Sequence, residues 1–198
     1  MEPITNKPAS PDLDLLRRYR IYNPSLFIAP LEPGAATLYP GTTTSTFRRA
    51  RDWSAADWPK NANVAIATGA SNHLLVVSAR SNADWSSFIA RMVDEEGAMT
   101  PYVVKNRLGI HTYLRAPLDR ALGSARSLDL KKLGLSVYGD HYYVPGAGSV
   151  ISGVECKTML DATLDVSKLP EPSQKLADFL GLPEISLHPS FTPRLRLI

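Results

Sequence analysis

The sequence has almost no cysteine and no long apolar run, and each scarcity removes a class of protein. Cys156 is the single cysteine among 198 residues. An internal disulfide framework and any cysteine-based zinc site are therefore excluded, and a buried, small apolar position in a reducing cytosol is expected for it. The stretch from Met1 to Asp14 is polar and proline-rich, without a charged start that leads into an apolar segment, so no secretory signal is expected. No stretch approaches the roughly 18 apolar residues of a membrane span. The expectation is a soluble, cytoplasmic protein with no membrane partner. Excess charge is scarce too: 22 Lys and Arg face 19 Asp and Glu, a net charge of +3, which permits an anionic partner without requiring one. The sequence contains no G-x-S-x-G, no P-loop and no H-E-x-x-H, and its four histidines lack metal-ligand spacing.

What is present suits one folded core. Hydrophobic residues make up 44% and charged residues 21%, ordinary globular usage, and the length favours a single domain. Residues 1–11, with Pro3, Pro8 and Pro11, read as a flexible arm. Residues 12–182 read as the domain. Residues 183–198, with Pro183, Pro189, Pro193, Arg194 and Arg196, read as an extended tail.

Within the domain, Leu13, Leu15, Leu16 and Tyr19 predict a short helix, and residues 25–29 a strand that enters a turn at Pro30, Pro33 and Gly34. The threonines at 42–44 predict caps for a second helix carrying Phe47, Arg48, Arg49 and Arg51. Residues 64–68 and 74–79 predict a hairpin turned at Ser71 and Asn72. Trp85, Phe88, Ile89, Met92 and Val93 fall on one helical stripe, with Ser81 or Asn82 as cap and Gly97 as terminator. Two more strand pairs follow, at 102–105 with 110–115 and at 135–138 with 141–144, before a last helix near 173–180. This order predicts an α+β domain, a mixed sheet flanked by helices.

Three strand ends carry groups suited to an anionic ligand. Thr68 and Gly69 close a strand, where a glycine lets backbone N–H groups approach a phosphate. In 109–115, alternation sends His111, Tyr113 and Arg115 to one strand face, expected to point outward and able to bind phosphate. In 136–146, the aromatics around Gly139-Asp140 are candidates for stacking on bases. Arg48, Arg49 and Arg51 on the expected helix, and Lys131 and Lys132 in an expected loop, are the candidate nucleic-acid contacts.

The order of these segments over residues 12–182 resembles the N-terminal domain of bifunctional primase-polymerases, of the archaeo-eukaryotic primase superfamily. Trp58-Pro59-Lys60-Asn61-Ala62-Asn63-Val64-Ala65-Ile66-Ala67-Thr68-Gly69 is similar to the family's "W…P-x-A-N-I-G-I-A-T-G" signature. Residues 74–77 resemble its next strand, Gly109 to Arg115 its "G-x-H-x-Y-F-R", and residues 134–149 its "G-I-D-x-R-G-D-G-G-Y-V-V-A-P-x-S". The resemblance implies an RRM-like sheet with a nucleotide bound over it, and His111 and Arg115 at its phosphates. It also implies two divalent metals on a D-x-D or D-x-E pair and a third aspartate.

Those acids are missing, because the pair falls on Ser78 and Arg80 and the third on Ser136. Magnesium and manganese want hard anionic oxygens. A guanidinium about 4 Å from a divalent ion repels it by roughly 8 kcal/mol at an effective dielectric near 20. Asp84, Asp140 and Glu155 are the candidate substitutes. For Arg80 two readings stand: part of the metal's positive charge replaced beside a phosphate, or an ordinary exposed arginine. The expectation is therefore a degenerate domain that needs no metal cofactor. It would bind nucleotide or DNA as an accessory in the replication of a plasmid, virus or mobile element, with a helicase or other replication protein in trans. The alternatives are an active primase/polymerase using Mg²⁺ or Mn²⁺ on substitute acids, and a structural or protein-interaction domain.

Overall fold

The computed structural model describes residues 11–97, 100, 102–117, 122, 128–159 and 163–182. The expected tail lies outside them, and so does the expected arm apart from Pro11, which begins the first helix. Four helices are present among the described residues: α1 (Pro11–Tyr22), α2 (Asn82–Glu96), α3 (Leu128–Lys132) and α4 (Gln174–Phe179). The strands are β1 (Phe27–Leu31), β2 (Arg48–Arg49), β3 (Asn63–Ala67), β4 (Leu74–Ala79), β5 (Val103–Asn106) and β6 (Gly109–Arg115). They continue with β7 (Leu135–Tyr138), β8 (Tyr143–Pro145), β9 (Val150–Ile151), β10 (Val154–Glu155) and β11 (Lys157–Thr158).

Strand alternation accounts for the layers. On β4, Leu74 and Val76 join one apolar cluster while Leu75, Val77 and Ala79 join another. A strand apolar on both faces must be covered on both. β4 accordingly sits inside a five-stranded sheet ordered β11-β5-β6-β4-β7. One face packs on α2 and α4 through Phe88, Met92, Leu176 and Leu180. The other packs toward a four-stranded sheet ordered β2-β1-β3-β8, with Ile28, Val64, Ile66 and Tyr113 between them. A two-stranded ribbon, β9 with β10, completes the set.

The α+β class is as the sequence predicts, and every ladder among the described residues is antiparallel rather than mixed. Two predicted hairpins are corrected. β3 and β4 lie in different sheets, joined only by the bridge between Gly69 and Leu74. Likewise β7 pairs with β4 while β8 pairs with β3. In both cases the chain crosses from one sheet to the other, because each strand finds its apolar cover in a different layer.

The helix predicted after the threonines is also corrected. A single 3-10 turn at Thr44–Thr46 gives way to β2, whose Arg48 and Arg49 pair with Ile28 and Phe27. Their guanidinium groups lie 5.1 Å from the Trp53 ring centre and 5.7 Å from that of Phe27, cation-π contacts that reward the extended form. Lys131 and Lys132 end α3 instead of lying in a loop. By contrast α2 follows its stripe: Ser81 accepts the Asp84 N–H, and Gly97, at φ 66°, closes it in the left-handed conformation.

Candidate functional site

The registers bring three of the singled-out residues into one line. Ser78 stands opposite His111 on β6 and opposite Ser136 on β7. Directly opposed residues share a sheet face, so Ser136, Ser78 and His111 form a row across the face turned to the four-stranded sheet. Arg80, one residue beyond β4, is exposed, and its Nη2 donates to the Lys131 carbonyl at 3.0 Å. It stands at the rim of the row, holding the end of α3.

His111 does not point to solvent as its strand pattern predicts. The four-stranded sheet covers it and leaves 1% of it exposed. Burial penalises the imidazolium and pulls its pKa down to about 4. Nδ1 lies 3.3 Å from the Asn106 amide nitrogen. Nε2 is buried and has no hydrogen-bond partner among the described residues, an uncommon condition for a buried polar group.

In front of this ring is a cavity of about 390 Å³, lined by Leu108, His111, Tyr138, Tyr142, Tyr143 and Pro145 among others. Tyr138 lies 6.1 Å from the His111 ring and 6.0 Å from that of Tyr142. Phe47 leans on Tyr143 at 6.1 Å. A second depression shares His141 and Tyr142 with it and adds the hydroxyls of Thr44, Ser45, Thr68 and Ser71.

Other predicted contacts are placed elsewhere, which corrects the single polar face. Tyr113 is fully buried between the sheets with its ring edge-on to Tyr102 at 4.9 Å, and burial raises its pKa. Arg115 lies four residues along β6 from His111, roughly 13 Å at strand rise. There its Nε and Nη2 bind Glu171 at 3.1 and 3.0 Å. The turn after β3 already holds an anion of the protein's own. The Ala70 N–H donates to Asp140 Oδ1 at 2.7 Å, and the Gly69 N–H donates to the Leu74 carbonyl at 2.6 Å. The Thr68 hydroxyl donates to the Gly139 carbonyl at 2.6 Å. Gly69, at φ 78°, is required there because a Cβ would collide with Asp140.

The substitute acids do not assemble either. Asp84 takes the Ser81 hydroxyl at 2.8 Å at the start of α2, Asp140 is held at the Gly69 turn, and Glu155 lies 3.6 Å from Lys157 on the ribbon side. Among the described residues no three His, Cys, Asp or Glu side chains group to hold a metal. Hydroxyls and a guanidinium do not fit paired divalent cations. The site's chemistry is that of a neutral imidazole and tyrosines.

Asn106 is the residue the sequence reading missed. Its Oδ1 accepts the Leu108 N–H at 2.7 Å, an Asx turn closing the β5–β6 hairpin. Asn two residues before a turn position, followed by Gly109, is a readable signal for it. Cys156 is buried as predicted, and burial pushes its thiol up to about 12. No helix among the described residues is long and apolar enough to cross a membrane.

No curated protein matches the chain. A family model described as bifunctional DNA primase/polymerase, N-terminal, matches residues 23–172, a span holding β1 to β11 and the His111 cavity between the two sheets. The chain belongs to the Prim-Pol family of bifunctional DNA primase/polymerase N-terminal domains.

Proposed function

We propose that this Prim-Pol domain binds nucleotide or single-stranded DNA as an accessory in DNA replication and does not itself carry out nucleotidyl transfer. In this reading the replicon is a plasmid, virus or other mobile element, and a helicase or other replication protein acts in trans. One observation carries the reading: across the sheet face where the resemblance expects the acids, the row reads Ser136, Ser78 and His111, with Arg80 at its rim. Nucleotidyl transfer needs metal ions to neutralise developing phosphate charge, and neither hydroxyls nor a guanidinium can hold them. The buried imidazole, one ring nitrogen of which has no partner among the described residues, supports a retained ligand contact. Arg48, Arg49, Arg51, Lys131 and Lys132 are exposed and supply backbone attraction.

The test measures primer synthesis and extension with Mg²⁺ and with Mn²⁺, beside nucleotide and single-stranded DNA binding at two salt concentrations. No synthesis is expected under either metal, together with DNA binding that weakens as salt rises. Metal-dependent synthesis by the purified chain overturns the proposal.

A further inference from the structure

We propose that the cleft where the end of α1 meets residues 163–169 docks a partner protein through an extended acidic segment, with one of its apolar side chains seated beside a carboxylate. The site goes beyond the nucleotide reading and does not rest on it, because none of its lining residues borders the His111 cavity. His73, on its wall, stands at the far end of β4 from Ser78, roughly 16 Å away at strand rise.

The helix prepares the cleft. Leu15, Leu16 and Tyr19 of α1 join the core, which leaves Arg18, Ile21 and Tyr22, at i, i+3 and i+4, together on its flank. Ile21 and Tyr22 stay 57% and 63% exposed, apolar surface that the domain's own packing does not use. The Asn23 side-chain amide donates to the Leu164 carbonyl and ties the helix end to the facing loop. Two cavities open there and share Tyr22, Asn23, Tyr102 and Leu164. The larger, about 710 Å³, has Pro24, Leu26, Val166 and Leu169 on its wall. The smaller, about 400 Å³, has Arg18 and Lys157. An apolar bowl beside a cationic one is complementary to an apolar side chain beside an acid.

Charge sets the sign of the partner. Two acids stand on the walls, and each faces a lysine of its own, Glu155 with Lys157 at 3.6 Å and Asp165 with Lys168 at 3.3 Å. Arg17, Arg18 and Arg20, all exposed on α1, have no ion-pair partner among the described residues. The surplus is positive. Tyr102 adds a donor. It is 4% exposed and lines both cavities, and its hydroxyl has no hydrogen-bond partner among the described residues. A carboxylate or a peptide carbonyl would satisfy it. A nucleic-acid strand fits less well, since it carries a charge at every phosphate and would pass both Glu155 and Asp165. A peptide can set its carboxylates at Arg18 and Tyr102 alone.

The experiment measures fluorescence anisotropy of labelled peptides on the full chain: peptides that alternate Asp with Leu or Phe, their Lys-Leu and Asp-Ser counterparts, and a thymidine oligonucleotide as competitor. The acidic apolar peptides are expected to bind at least about tenfold more tightly than either counterpart. Arg18→Glu and Tyr22→Ser, both at exposed positions, should each weaken that binding about tenfold and leave nucleotide binding unchanged. Equal binding of the Lys-Leu peptides, or an affinity untouched by both variants, overturns the proposal. Peptide displaced by the oligonucleotide, with oligonucleotide binding lost in the same two variants, overturns it in favour of a nucleic-acid surface. Dimerisation in sedimentation that both variants abolish overturns it in favour of an interface between copies. No peptide binding at all overturns it as well, and nucleotide binding measured on the same sample shows separately whether the nucleotide reading stands.

Discussion

The face of the five-stranded sheet that packs on α2 and α4 differs from the face turned to the four-stranded sheet, although the same strands make both. On the helix side Leu75, Val77, Leu114 and Val137 meet Phe88, Met92 and Leu176. Its buried Thr112 hydroxyl takes the Trp85 indole N–H at 3.2 Å, so its polar group is satisfied. On the sheet side the row runs from exposed Ser136 on the edge strand β7 to buried Ser78 and His111, and the His111 Nε2 is left without a partner among the described residues. What separates the two faces is the cavity: the unpartnered His111 nitrogen lies beside one, and that is where the proposed binding role puts its ligand.

Breaking the helix side should show the largest effect on stability. Phe88 is 2% exposed, and Phe88→Ala is expected to destabilise by about 3–5 kcal/mol, read from chemical denaturation. Nucleotide affinity of the fraction still folded should not change. A loss under about 1 kcal/mol would mean that α2 does not anchor the sheet.

The sheet side should respond to pH. His111 has a folded pKa of about 4 against an ordinary 6.5. Between those values the unfolded chain takes up a proton that the folded chain refuses, so stability falls as pH drops from about 6.5 to about 4. Above 6.5 it contributes no slope. At about 1.4 kcal/mol per pH unit, this group alone is expected to remove about 3 kcal/mol, and His111→Gln should flatten that part of the profile.

A smaller effect of opposite sign is expected at Tyr113. Its hydroxyl is buried and has no hydrogen-bond partner among the described residues. Tyr113→Phe should therefore stabilise the fold by about 1 kcal/mol, seen as a higher denaturation midpoint. Destabilisation would mean that the hydroxyl is in fact satisfied.

The smallest effect belongs to the rim. Arg48→Gln removes one guanidinium from an exposed edge strand. It should lower the salt dependence of oligonucleotide binding by about one phosphate contact, leaving the fold within about 0.5 kcal/mol. An unchanged salt slope would take β2 out of the binding surface.

How much of this was legible in the sequence depended on range. α2 was readable because its stripe, the Ser81 cap and the Gly97 terminator lie within one segment. β4 and β6 were readable as strands, but their partners were not. The pattern of Leu74 to Ala79 shows two apolar faces and not which layers cover them. The same limit turned His111 and Tyr113 outward in the sequence reading: alternation puts them on one face, and only the four-stranded sheet decides that this face is buried. Thr42 to Thr44 promised a helix, but a cap signal cannot tell a single turn from a long helix when the arginines after it find aromatic rings to lie on. The row itself was half legible, since the positions of Ser78, His111 and Ser136 came from family resemblance and their alignment from register. The Asn106 contact that orients the imidazole came from the fold alone.

The most direct test of the central claim is anomalous diffraction from crystals grown with Mn²⁺ and a nucleoside triphosphate. The account predicts no manganese peak between Ser78 and Ser136, because that part of the sheet offers hydroxyls and no carboxylate. Two ions seated there would contradict it.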